Sequence, residues 1–313
     1  MRTFGVRIDH GGMTEATRVP GTVAVPGAVL SFTVVGDLSD ATPGSPPLVL
    51  AGSPMDSTGF GSLVTALAAA GEHRVLVLTD PRNVGRSTRD DTTAAVTPEQ
   101  HAEDLHAVIE ALGAGPVDLF ASSGAAVNAL FLVAAHPDDV RLLVAHEPPM
   151  AALLPDGAAI TGTCDEMVAT YDAEGIGPAM ARFIGLVMNR GEWRGDEPAP
   201  DPAMFGLPTA DDGSRDDGLM ANMRGEGCTR VPDLDALRTA STTVIVGVGE
   251  ESGGPEDGEI AGRSAYAVAR ALGVEPVVFP GGHNGFLGGE FGQTGKPAEF
   301  AARLAEVLHG KMQ

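Results

Sequence analysis

Lysine is almost absent from this chain. Only Lys296 and Lys311 occur, and together with arginine the basic residues number 20 against 42 aspartates and glutamates, a formal net charge of −22. A surface of that sign repels nucleic-acid phosphates and anionic membranes, so neither is an expected partner. Cysteine is just as scarce: Cys164 and Cys228 are too few for a disulfide framework and lack zinc-site spacing. No run of about 18 uninterrupted apolar residues exists, so no segment reads as a membrane span. The start of the chain has no basic stretch followed by an apolar one, as a secretory signal requires. These absences together point to a cytoplasmic protein with reduced thiols.

What remains is the composition of a globular protein. The chain has 313 residues, 43% of them hydrophobic, enough for one large α/β domain with an inserted subdomain. Short β-branched runs alternate with amphipathic stretches. Strands are expected at 29–35, 47–50, 74–78, 117–120 and 141–145, with helices at 62–70, 98–112 and 125–135 between them. The alternation lapses for about 90 residues and resumes with strands at 243–248 and 276–279 and helices at 260–272 and 298–308. Strand alternating with helix predicts a mostly parallel sheet covered on both faces.

The lapse divides the chain into a core of residues 1–148 and 241–313 and an insert of residues 149–240. Helices are expected in the insert at 165–171 and 178–187. Seven of the eleven methionines lie there: Met150, Met167, Met180, Met188, Met204, Met220 and Met223. Flexible thioethers suit either an adaptable apolar pocket or the core of a small helical layer.

The sequence Ala121-Ser122-Ser123-Gly124-Ala125 falls between an expected strand and an expected helix. A small–x–Ser–x–small turn at such a junction is so tight that it thrusts the serine out of the backbone as a nucleophile. Ser123 is the central serine, because centring on Ser122 would put Phe120 in a crowded position. Such a serine needs a base, an acid that orients the base, and donors for an oxyanion. In open parallel sheets these groups converge beyond the carboxyl ends of the strands.

After the last expected strand comes Pro280-Gly281-Gly282-His283-Asn284-Gly285, whose histidine can swing over the sheet. His101, His106 and His136 lie on or beside helices, and His10, His73 and His309 read as surface. His146, at a strand end, is the rival to His283. The acid is expected after the penultimate strand at Glu250, with Glu251 next to it and Glu147, in His146-Glu147-Pro148-Pro149, as alternatives. The backbone N–H groups of Gly124 and of Ser53, in Ala51-Gly52-Ser53-Pro54-Met55, are the expected oxyanion donors. Pro54 has no N–H to offer.

The order Ser123, Glu250, His283 is that of the α/β-hydrolase family, and the chain resembles it elsewhere too. Asp80-Pro81-Arg82-Asn83-Val84-Gly85-Arg86-Ser87 resembles the family's Asp-x-Arg-Gly-x-Gly-x-Ser turn, with Asn83 where glycine is usual. Ala51-Gly52 resembles the His-Gly oxyanion loop, with alanine for histidine. The resemblance covers residues 29–308 apart from the insert, which sits where members carry a cap.

It implies an eight-stranded, mostly parallel sheet with a helical cap and a serine hydrolase that needs no metal or organic cofactor. A serine at the elbow argues against haloalkane dehalogenase and epoxide hydrolase chemistry, which uses aspartate there. The expected substrate is an ester, lactone or thioester of a neutral, fairly hydrophobic small molecule, with Met55, Phe183, Trp193 and Phe205 as candidate contacts. The same groups also suit carbon–carbon bond hydrolysis, perhydrolysis or acyl transfer, and the fold also suits a non-catalytic ligand-binding protein.

Overall fold

A computed structural model describes residues 17–311. The chain runs through β1 (Arg18–Val25), β2 (Ala28–Val35), β3 (Leu48–Ser53), α1 (Gly61–Ala69), β4 (Leu76–Asp80), β5 (Thr88–Arg89), α2 (Pro98–Leu112), β6 (Val117–Ser123), α3 (Gly124–Ala135) and β7 (Val140–His146). It continues with α4 (Gly157–Glu174), α5 (Ile176–Val187), α6 (Gly218–Arg224), α7 (Leu234–Thr239), β8 (Thr243–Gly249), α8 (Ile260–Leu272), β9 (Val277–Phe279) and α9 (Pro297–Leu308). No helix among the described residues is long and apolar enough to cross a membrane.

The strands form one sheet in the order β1-β2-β4-β3-β6-β7-β8-β9. Eight strands lie on this path, as expected, and the two-residue β5 adds a ninth by pairing with β2. From β4 to β9 every neighbour is parallel, while β2 runs antiparallel to both β1 and β4. The edge strand β1 has no counterpart among the expected elements.

Alternation along the central strands sends successive side chains to opposite faces. Val49, Val77, Leu119, Leu143 and Val246 belong to one core with the inner faces of α2, α3, α7 and α8. Leu48, Leu50, Phe120, Val144 and Ile245 face the other way, onto α1 and α9. Burial on both faces explains why these strands read as continuous apolar runs. α2 starts at Thr97, whose hydroxyl accepts from the Gln100 N–H, and stops at Gly113 in the left-handed conformation (φ 61°).

A third core brings together α4, α5 and α6 around Met167, Tyr171, Trp193, Leu219 and Met220. This layer lies between β7 and β8 in the chain, within the expected insert of 149–240. α7 also falls in that span, but its Leu237 packs into the sheet core. The separately packed layer therefore ends near Cys228. It is pinned to α8 by a buried ion pair, in which Arg263 donates to both carboxylate oxygens of Asp156 at 2.9 and 2.7 Å. Asp156 also accepts from the Trp193 N–H at 2.7 Å.

Candidate active site

β6 runs into α3 without an intervening residue, and the junction is Ser123, at φ 60° and ψ −132°. A non-glycine residue held there stores on the order of 1–3 kcal/mol of strain, which persists only where the surroundings impose it. They do so on both sides of the turn. Ala121 and Ala125 are buried, and a Cβ on Gly124 would lie 2.8 Å from the Ser53 carbonyl oxygen. Ser53 and Ser123 are register partners at the ends of β3 and β6, so the backbones carrying both expected oxyanion donors touch. Ser122 points to the other side of the strand, where its hydroxyl shares a 3.2 Å hydrogen bond with Nδ1 of His146.

His283 follows β9 by four residues, and its Nδ1–H donates to Oε2 of Glu147 at 2.7 Å. The sequence order favoured Glu250, and the geometry differs. Glu250 and Glu251 are exposed and face Lys296 Nζ at 3.8 and 2.7 Å. The reason is steric. A Cβ on Gly249 would come within 2.8 Å of Gly282, so the backbone of the His283 loop fills the space beyond the end of β8. The carboxylate then comes from the neighbouring strand, immediately after β7.

Glu147 is fully buried and held by both oxygens, because its Oε1 accepts the Gly249 N–H at 2.8 Å. Its backbone lies at φ 48°, a second strained residue beside the first. Burial works against its ionised form, but the His283 hydrogen bond and the neighbouring imidazoles hold it down to about 2. Burial likewise disfavours a charged His283, yet the bond and charge of Glu147 outweigh it and raise the ring above its ordinary value. The rival His146 is buried, its ring 6.3 Å from that of His283 and enclosed by Phe120, Phe279, Phe286 and Phe300. His10 lies outside the described residues.

A model of the alpha/beta hydrolase fold matches residues 48–191. A thermophilic esterase from Thermogutta terrifontis, solved with malate bound, superposes with a TM-score of 0.63 at 19% identity, covering 95% of this chain and all of that one. MGS-M2, an alpha/beta hydrolase from a Medee basin deep-sea metagenome library, gives a TM-score of 0.65 at 15% identity, over 94% of this chain and 98% of its own. The fold is that of the α/β hydrolases. In sequence, 136 residues are 30% identical to the uncharacterized hydrolase YraK of Bacillus subtilis strain 168, a match spanning 43% of this chain and 46% of that protein.

Within this α/β-hydrolase fold, Ser123, Gly124, Ser53 and His283 line a cavity of about 890 Å³ between the sheet and the α4–α6 layer. Phe183 and Phe205 line it as well. Two other expected contacts do not. Met55 packs back under its own loop, in the space left by Gly52 and Gly59, where added Cβ atoms would lie 2.7 and 2.3 Å from it. Trp193 is buried in the layer's own core, where its Nε1–H donates to Thr163 Oγ1 at 2.8 Å.

Asn222, His101 and Glu259 are among the polar cavity residues that the sequence reading did not bring to the site. Asn222 on α6 donates from Nδ2 to Ser53 Oγ at 3.0 Å and accepts from His101 Nε2–H of α2 at 2.8 Å. Burial lowers His101, which keeps the ring neutral and suited to that role. Glu259 lines the cavity too, raised by burial, with the charge of Arg190 opposing and that of Glu147 reinforcing. No local motif marks Asn222, which stands among methionines in a short helix; only the way α6 packs over β3 brings it to the site.

Proposed function

We propose that the protein is a serine hydrolase that cleaves an ester or thioester with an apolar acyl part through an acyl-enzyme. The observation that carries this reading is the strained Ser123, opening into the same apolar cavity as a histidine whose far nitrogen is anchored by a buried glutamate. Nδ1 of His283 is engaged by Glu147, which leaves Nε2 to take the Ser123 proton. Ser123 Oγ attacks the carbonyl carbon, and the carbonyl oxygen becomes an oxyanion accepting from the Gly124 and Ser53 N–H groups. His283 then gives its proton to the leaving oxygen or sulfur. Water, deprotonated by the same ring, releases the acid and restores Ser123. Glu147 holds the imidazole tautomer and stabilises its charged form.

The esterase among the similar structures and the apolar lining support this choice of substrate class. Labelling with a fluorophosphonate probe, followed by peptide mapping, tests it. Modification is expected at Ser123 and lost in Ser123→Ala. A folded protein that takes no label would remove the hydrolase reading.

A further inference from the structure

A second cluster of reactive side chains lies away from the cavity. His106 on α2, His136 just after α3 and Asp139 just before β7 each offer a donor atom within 4.8 Å of the others. His106 Nδ1–H donates to Asp139 Oδ2 at 2.6 Å, and His136 Nε2–H donates to Glu103 Oε1 at 2.9 Å. The two imidazoles stack with centroids 3.8 Å apart, and Glu110 sits 3.6 Å from His106 Nε2. Glu103, His106 and Glu110 share one face of α2 at helical spacing. The inner three side chains are only 17–25% exposed, whereas Glu103 and Glu110 form an open acidic rim.

The geometry points to a binding site for a divalent transition metal ion of the zinc type, held by His106, His136 and Asp139 with Glu103 as fourth ligand. Two imidazoles and two carboxylates are a suitable donor set, and donors bound at about 2.0–2.2 Å stand at most about 4.4 Å apart. The three donor atoms already lie within 4.8 Å of one another, and the stacked rings must turn out of parallel for their lone pairs to meet at one ion. The ion takes the place of the protons that now bridge histidine and carboxylate; a neutral ring moves its proton to the opposite nitrogen, and a charged ring releases one to solvent. His136 lies twelve residues beyond Gly124, about 18 Å along the axis of α3. The ion would thus clamp α2 to the far end of the helix that Ser123 precedes, apart from the reacting atoms.

Chelator-stripped full-length protein titrated with zinc chloride by calorimetry tests the site. One equivalent is expected to bind with micromolar or tighter affinity. His136→Ala and Glu103→Gln should each weaken it roughly tenfold or more, the scale on which even outer partners tune a metal. Both side chains are accessible enough for the variants to keep the fold, which near-ultraviolet circular dichroism checks. Cobalt(II) in the same site should show weak visible bands without a thiolate charge-transfer band. Absence of saturable heat overturns the proposal, as do affinities unchanged in both folded variants. A thiolate band, or binding lost in Cys228→Ser, also overturns it by placing the ion on the cysteines.

Discussion

At the scale of single residues, the hydrogen bond between His283 and Glu147 makes the sharpest demand. Glu147→Gln keeps the shape but removes the charge that fixes the imidazole, so kcat/KM for an activated ester should fall by about 10³–10⁴-fold. Glu250→Gln should leave it within a factor of about two, because Glu250 faces Lys296. A general base must be neutral, and His283 is raised, so activity should fall with decreasing pH along a limb lying above the ordinary histidine value of 6.5. In the glutamine variant burial remains without its counterweight, and the limb should move below that value. Equal losses in the two variants would remove Glu147 from its assigned place.

At the scale of elements, α6 reaches across the cavity to Ser53 at the end of β3 through Asn222. Asn222→Ala removes its hydrogen bonds to Ser53 and from buried His101, each worth about 1 kcal/mol, so kcat/KM should drop about fivefold and Tm should fall by roughly 2–4 °C. A variant as active as the parent would show that Ser53 holds its place unaided. The central strands and the helices between them were legible in the sequence, because two-sided burial writes apolar runs and one-sided burial writes helical stripes. β1 was not, since it is a largely exposed edge strand interrupted by Pro20 and Gly21. The turn at Asp80 was legible down to its exception. Asn83 sits at φ 61°, where asparagine is the residue best able to replace glycine. Which carboxylate pairs with His283 was not legible, because three candidates follow strand ends and the packing of Gly282 on Gly249 keeps Glu250 and Glu251 away from it. Asn222 belongs with it, placed by tertiary packing that no local pattern records.

Across the whole molecule, part of the pH dependence of stability comes from this site. His146 is buried among aromatic rings, and burial above all pushes it down to about 4, with the positive charge of His283 adding to the effect against that of Glu147. A group depressed in the folded state contributes stability that is present above its unfolded value of 6.5 and lost as pH falls towards 4. That window is worth about 3 kcal/mol. Glu147 extends the loss from 4.5 towards 2, whereas the raised His283 stabilises the acid side and ceases to do so as pH rises through its folded value. Urea melts at pH 7 and pH 4.5 should therefore differ less in His146→Phe than in the parent, and an unchanged difference would clear His146 of the effect. The cavity has one more consequence. Cys164 and Cys228 both line it as free thiols, with sulfur atoms 3.2 Å apart. The hydrogen bond between them pushes Cys164 up and holds Cys228 down. An electrophile small enough to enter thus meets a pair of thiols as well as Ser123, and an adduct on either sulfur occupies the space an acyl chain needs. Inactivation by maleimides or iodoacetamide would then report a blocked passage, and a cysteine mechanism inferred from it would be mistaken.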